Sequence, residues 1–189
     1  MKNWKKYFKK QEGRKPREQL VRAVSLRKIR TNALDLGSGN FIESKYLAKK
    51  FKSVIAMDSS LDIAKYNKGL NRRIHFLNVP FQEVDFSQYR FDLINAQFSL
   101  PFYGKKGFNE FIEILIKSLK KDGIFVGQFF GVNDSWNKKD SELVFHTKNQ
   151  VLNLFSKLKI VEFIEEEREG KTALGRPKHW HIFHFIARK

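Results

Sequence analysis

LDLGSGNF, residues 34–41, is the stretch whose reading decides the fold of this chain. With Thr31, Asn32 and Ala33 before it, the stretch is a short, largely apolar run that closes on an acid and two glycines, as a buried strand does when it enters a tight turn. FIESKYLAKKF, residues 41–51, then repeats apolar residues at Phe41, Ile42, Leu47, Ala48 and Phe51, a spacing that predicts a helix. Strand, glycine turn and helix form the unit that holds a nucleotide at the carboxyl end of an open α/β sheet.

The residues around the turn narrow the choice of nucleotide. A dinucleotide fingerprint needs glycine at position 42, where this chain has Ile42, and a phosphate-binding loop needs a lysine that residues 37–44 do not contain. The turn offers instead Asp35, two residues before Gly37, and a second acid, Asp58, at the end of the next apolar run. A carboxylate beside the turn suits a ligand carrying an ammonium group better than a pyrophosphate, and Asp58 has acceptors for both hydroxyls of a ribose.

Outward from this unit the alternation continues. Residues 17–29 predict an amphipathic helix after Pro16, with Leu20, Val21, Val24 and Ile29 on its apolar side. SVIAMD (53–58) reads as a strand, LDIAKYN (61–67) as a helix, and RIHFLNV (73–79) and FDLINAQF (91–98) as two more strands. FNEFIEILIKSLK (108–120) carries one apolar stripe and predicts a helix ended by a glycine cap in KDG (121–123). GIFVGQFF (123–130) is the fifth strand, TKNQVLNLF (147–155) a helix, and KIVEFIEEE (159–167) and HWHIFHFIAR (179–188) an antiparallel pair. The pattern predicts a doubly wound α/β fold whose seven-stranded sheet is mostly parallel and closes on an antiparallel C-terminal hairpin.

Composition bounds the chemistry. With 189 residues the chain suits one domain, in which residues 1–30 form a basic arm and first helix belonging with residues 31–189. The absence of cysteine excludes disulfides, zinc–thiolate sites and a cysteine nucleophile. The formal charge is +17, of which residues 1–30 hold +10, with twelve Lys or Arg against Glu12 and Glu18. We read the arm as a solvated surface, with an RNA-binding arm as the alternative. No stretch approaches the ~20 apolar residues of a membrane span and none resembles a signal peptide, so the expectation is a soluble, cytoplasmic protein with no membrane partner.

LDLGSGN, AMDSS (56–60) and FDLINAQFSLPF (91–102) together resemble the motifs of the class I S-adenosylmethionine-dependent methyltransferases, over roughly residues 31–130. GQFFG (127–131), NDSW (133–136), FHT (145–147) and the closing PKHWHIFHFIARK are similar to small bacterial methyltransferases of the tellurite-resistance and thiopurine groups. The resemblance implies a Rossmann-like fold, S-adenosylmethionine as cofactor and a small-molecule methyl acceptor. It implies further that Asp35, Gly37 and Gly39 border the methionine part of the cofactor, that Asp58 binds the ribose with Ser59 beside the adenine, and that Phe81 and Gln82 flank the adenine. Asn95, Ala96 and Gln97 would lie under the sulfonium, and Arg17, or Arg14 near it, would pair with the cofactor carboxylate. The family usually has a third glycine at position 41, where this chain has Phe41.

Methyl transfer is an in-line displacement that depends chiefly on alignment in a dry site, and a histidine helps only when the acceptor must lose a proton. His146, at the start of the helix after strand five, is the first candidate, with Asp134 and Trp136 in the same connection; His181 is the second. His179 and His181 share a strand face at a spacing that can chelate metal, but sheet-edge packing is the preferred account and no metal is expected. Two other functions compete: an RNA methyltransferase that uses the basic arm, and an idle module that binds the cofactor without transferring its methyl.

Overall fold

The computed structural model describes residues 4–63 and 65–189. Residues 1–3 of the basic arm, and Ala64 within the expected helix 61–67, lie outside the described residues. In chain order the elements are α1 (Trp4–Lys10), α2 (Glu18–Ser25), β1 (Asn32–Leu36), α3 (Ile42–Ala48), β2 (Ser53–Met57), β3 (Ile74–Leu77), β4 (Phe91–Ala96), α4 (Phe108–Ser118), β5 (Leu119–Gly131), β6 (Phe145–His146), α5 (Lys148–Leu154), β7 (Lys159–Lys171) and β8 (Pro177–Arg188). The strands line up as β3-β2-β1-β4-β5-β8-β7, with two-residue β6 pairing the end of β5 off this path. β1 to β5 run parallel, and β8 and β7 complete the sheet antiparallel. The strand order reverses between β1 and β4, which puts the switch point at the end of LDLGSG.

Each face of the sheet has its own core. Phe108, Phe111, Ile112 and Leu115 of α4 and Phe155 after α5 cover Phe125, Phe183 and Phe185 on one side. Phe8, Leu20, Val24, Leu47 and Ala48 from α1 to α3 cover Ala33, Val54 and Val126 on the other. A central parallel strand covered on both faces reads as a continuous apolar run, and all six residues of β4 are buried. The exceptions in that run are Asn95, near its carboxyl end, and Asp92, which accepts from Arg27 (2.7 Å), Lys120 (3.0 Å) and the backbone N–H groups of Thr31 and Asn32 (2.9 Å each). This knot ties α2, β1, β4 and β5 at the amino end of the sheet.

Four elements differ from expectation. Among the described residues of 61–67 there is no full helix: Leu61–Ile63 is a single 3-10 turn, Leu61 is 85 % exposed, and Gly69 turns the chain with φ 66°. The segment has too few apolar residues to make a second stripe. Helix α2 stops at Ser25, because Arg27 turns inward to Asp92 and leaves Ile29 on the surface, 62 % exposed. Helix α4 stops at Ser118 and β5 begins at once; the left-handed residue is Asp122 (φ 60°). Gly123 serves instead as a close approach, since a Cβ there would stand 2.8 Å from the Lys120 carbonyl oxygen. Finally, α1 is an ordered helix within the basic arm, where the sequence shows only Trp4, Tyr7 and Phe8 among lysines.

Candidate active site

The turn after β1 is built by its glycines. Gly37 (φ 77°) and Gly39 (φ 51°) take left-handed conformations, and a Cβ on Gly37 would stand 2.4 Å from Ser99 Cβ. Phe41 is also left-handed, with φ 63° and ψ 21°, so the position of the family's third glycine keeps that glycine's backbone. The ring turns away into the core, fully buried and edge-on to Phe76 at 4.9 Å. The ring is thereby removed from the turn.

Asp35, at the carboxyl half of β1, is buried and accepts from the Ser44 hydroxyl of α3 and from Asn95 Nδ2 of β4 at 2.7 Å. Burial first, and then the Glu43 carboxylate, push its pKa up to about 7. Asp58, after β2, accepts from the Gly39 N–H at 3.0 Å and the Ser60 N–H at 2.9 Å, so one carboxylate joins the glycine turn to the end of β2. Burial raises its pKa against those two donors. Ser59 is exposed beside it.

Helix α1 roofs this turn. The Phe8 ring lies over Gly39, Asn40 donates to the Phe8 carbonyl at 3.2 Å, and Trp4 meets Phe102 edge-on at 5.3 Å. Behind the roof, Arg14 grips Glu43 through two bonds of 2.6 and 2.7 Å, and the Arg17 guanidinium lies 4.4 Å above the Phe98 ring. Burial and the neighbouring Arg14 hold the Arg17 pKa below its usual value. The space beneath the roof is about 40 Å³, bordered by Asp35, Gly37, Gly39, Asn95, Gln97 and Arg17 among the expected residues. Arg14, Tyr7, Gln11, Ser38, Asn40 and Glu43 complete the lining. Glu43 had no sequence signal of its own, because its partner Arg14 comes from a segment 29 positions away.

Several side chains of this cleft are buried without partners. Gln97 lacks one at both amide atoms, Asn95 at Oδ1, Ser38 at its hydroxyl and Arg14 at Nε. A buried polar group left unpaired costs ~1–3 kcal/mol, so the cleft is set up for a polar ligand that supplies donors and acceptors.

Other expected residues stand elsewhere. Ala96 is buried in β4, with its carbonyl oxygen 2.9 Å from where a Gly127 Cβ would be. Phe81 stacks on Phe111 of α4, and Gln82 donates to the Tyr103 carbonyl at 2.8 Å, so neither lines the cleft. His146 packs between Phe108 and Phe129 and borders a separate groove between α4 and α5, where burial lowers its pKa to about 4. His181 is part of the sheet: its Nδ1 accepts from the Asn133 N–H at 3.1 Å and its Nε2 faces Glu165 at 3.2 Å. Carboxylates that are distant in sequence thus meet the histidines across β7 and β8, where His179 lies 3.0 Å from Glu167 and 2.6 Å from Glu169. At the carboxyl end of β5, Phe98, Phe102, Phe130, Trp136, Phe145 and Trp180 form an aromatic cluster. Lys178 is buried within it, bonded to Asp134 and 4.0 Å from the centre of the Trp136 ring.

Residues 33–123 match the family model described as a methyltransferase domain. This part of the chain is a methyltransferase domain. No curated protein matches the chain. Among solved structures it is similar to TehB from Haemophilus influenzae (17 % identity, 98 % of this chain, 67 % of that chain, TM-score 0.75). It is similar also to the N-methyltransferase NodS from Bradyrhizobium japonicum (15 %, 100 % and 99 %, 0.68), solved with S-adenosyl-L-homocysteine. A third is the 1,6-didemethyltoxoflavin-N1-methyltransferase of Burkholderia thailandensis (17 %, 91 % and 78 %, 0.61). At these identities the likeness is one of fold, and it extends the methyltransferase architecture over β5 to β8. The matched residues include the glycine turn, Asp58 and β4, whereas α1, Arg14 and Arg17 of the cleft precede them.

Proposed function

We propose that this methyltransferase moves the methyl group of S-adenosylmethionine to a small molecule in the cleft beneath α1. The observation that carries this reading is the glycine turn with its unpaired polar groups beneath a roof: Phe8 closes on Gly39 over about 40 Å³, far less than the roughly 300 Å³ of a small-molecule site, so α1 must lift to admit the cofactor and then shield a compact acceptor. The unpaired amide and hydroxyl groups there fit a cofactor rich in polar atoms. Asp35 would take its ammonium group, Arg17 or Arg14 its carboxylate and Asp58 its ribose hydroxyls. Asn95, Ala96 and Gln97 would lie under the reacting centre, and Ser59 at the adenine end. Phe81 and Gln82 would reach the adenine only if the turn 81–83 moved from Phe111. The bound cofactor supplies an activated methyl; the chain supplies orientation and excludes water.

No histidine borders the cleft, which favours acceptors that are already nucleophilic near neutral pH, such as thiolates, other anions or unprotonated amines. The aromatic cluster beyond Phe98 is the natural wall for an acceptor with an apolar body, and 1,6-didemethyltoxoflavin, the ligand of one structural neighbour, belongs in a first screen.

The test is calorimetric titration of S-adenosylhomocysteine into the wild type and Asp58→Ala. The expected outcome is saturable binding that Asp58→Ala weakens at least about tenfold, the ~1.4 kcal/mol of a hydrogen bond to a charged group. Binding with no methyl consumption against any acceptor would leave the idle module. No binding at all would remove the proposed cofactor.

A further inference from the structure

The charge of this protein is divided unevenly between two parts of the chain. Residues 1–73 hold twenty Lys or Arg against six Asp or Glu, a net +14, and the remaining 116 residues carry only +3. The structure separates these cations into two groups. The arginines of the arm are used internally: Arg14 on Glu43, Arg22 on Glu162, Arg27 on Asp92, and Arg30 on the Arg27 and Val24 carbonyls. The lysines are exposed, and Lys5, Lys9 and Lys10 of α1 and Lys49 and Lys50 after α3 make no ion pair among the described residues.

The segment 65–73 links the two elements that carry these lysines. Tyr66 meets Phe8 of α1 edge-on and donates to Glu12 at 2.7 Å, Arg73 donates to the Ala48 carbonyl at the end of α3, and the Lys52 N–H donates to the Arg30 carbonyl. Helix α1, the end of α3 and residues 65–73 are therefore side by side, with Trp4, Tyr46 and Tyr66 half-buried among the cations.

We propose that this face docks single-stranded RNA through its phosphates. A polyphosphate strand releases counterions to a row of lysines, and partly exposed rings between them offer stacking surfaces that need no particular base. The surface fits a membrane less well. Helix α1 has seven residues and turns Phe8 inward, and Leu61 is the one large apolar side chain well exposed among the described residues 61–73, too little to anchor a protein in a bilayer. This surface is distinct from the enclosed cleft and does not depend on the acceptor proposed for it.

The experiment is fluorescence anisotropy of a labelled oligouridylate of about 20 nucleotides, titrated with the full chain from about 50 to about 200 mM salt. We expect saturable binding whose logarithm falls with log salt at a slope of roughly −3, as for four or five phosphates neutralised on a single strand. Lys9→Glu with Lys10→Glu, and separately Lys49→Glu with Lys50→Glu, should each weaken it by about tenfold. Lys138→Glu with Lys139→Glu makes the same change of net charge in the other part of the chain and should weaken it less than about twofold. Equal losses in all three pairs would reduce the effect to net charge and overturn the proposal, as would absence of binding. Tighter binding to phosphatidylcholine vesicles with a quarter phosphatidylglycerol than to the RNA would replace it with a membrane surface. Unchanged S-adenosylhomocysteine affinity in Lys49→Glu with Lys50→Glu confirms that the fold is intact, and its loss in the wild type would refute only the cofactor reading.

Discussion

At the scale of single residues, Phe41 and Asp35 show how one position answers to two demands. Phe41 holds a left-handed backbone that costs a non-glycine residue ~1 kcal/mol, and its fully buried ring returns more than that in the core. Phe41→Gly should therefore lower stability in urea by about 2–4 kcal/mol while leaving cofactor affinity within about threefold, because the ring faces Phe76 and not the cleft. Asp35 has a pKa of about 7 in the fold against an ordinary value of 3.8, so the folded chain holds an extra proton between those limits. The stability this group contributes is present below about pH 4 and is lost as pH rises through about 7, a change on the order of 4 kcal/mol. A cationic ligand beside it needs the ionised form. Cofactor affinity should thus fall as pH drops below about 7, with proton release on binding that calorimetry in buffers of different ionisation enthalpy detects. Asp35→Asn should unfold at higher urea than the wild type at pH 8 and bind the cofactor more weakly, a trade of function against stability.

At the scale of elements, the sequence predicts the strands better than the pieces that cover their ends. β1, β2 and β4 are read correctly because a buried strand is a short apolar run whatever surrounds it. Helix α1 is not, since its lysines dominate the composition and its aromatic residues meet Gly39, Tyr66 and Phe102, which lie far away in the chain. As the roof, α1 should control exchange: removing residues 1–12 should speed S-adenosylhomocysteine dissociation several-fold in stopped-flow measurements and leave the far-ultraviolet spectrum of the sheet in place. The connection 131–142 is secured differently. Asp134 accepts from buried Lys178 of β8 and from the Trp136 N–H at 2.9 Å. Asp134→Ala leaves that ammonium buried and unpaired, and should cost about 3–5 kcal/mol in urea unfolding, most of which Asp134→Ala combined with Lys178→Met should restore.

At the scale of the whole molecule, ligand and fold are linked by mass action. At a hundredfold excess over Kd, S-adenosylhomocysteine should stabilise the protein by ~2.7 kcal/mol, a rise in Tm of roughly 5–10 °C for a chain of this size, read by differential scanning calorimetry. The sequence by itself determined the parallel α/β sheet, its antiparallel close and the turn with its two acids, since apolar periodicity and glycine spacing are local properties of the chain. It did not determine which residues share the cleft. Arg14 meets Glu43 across 29 positions and Asn95 meets Asp35 across 60, while His146, so close to strand five in sequence, faces the groove between α4 and α5. Those meetings were decided by the tertiary structure alone, because the direction in which a side chain leaves the sheet depends on the register between strands and on which helix covers each face.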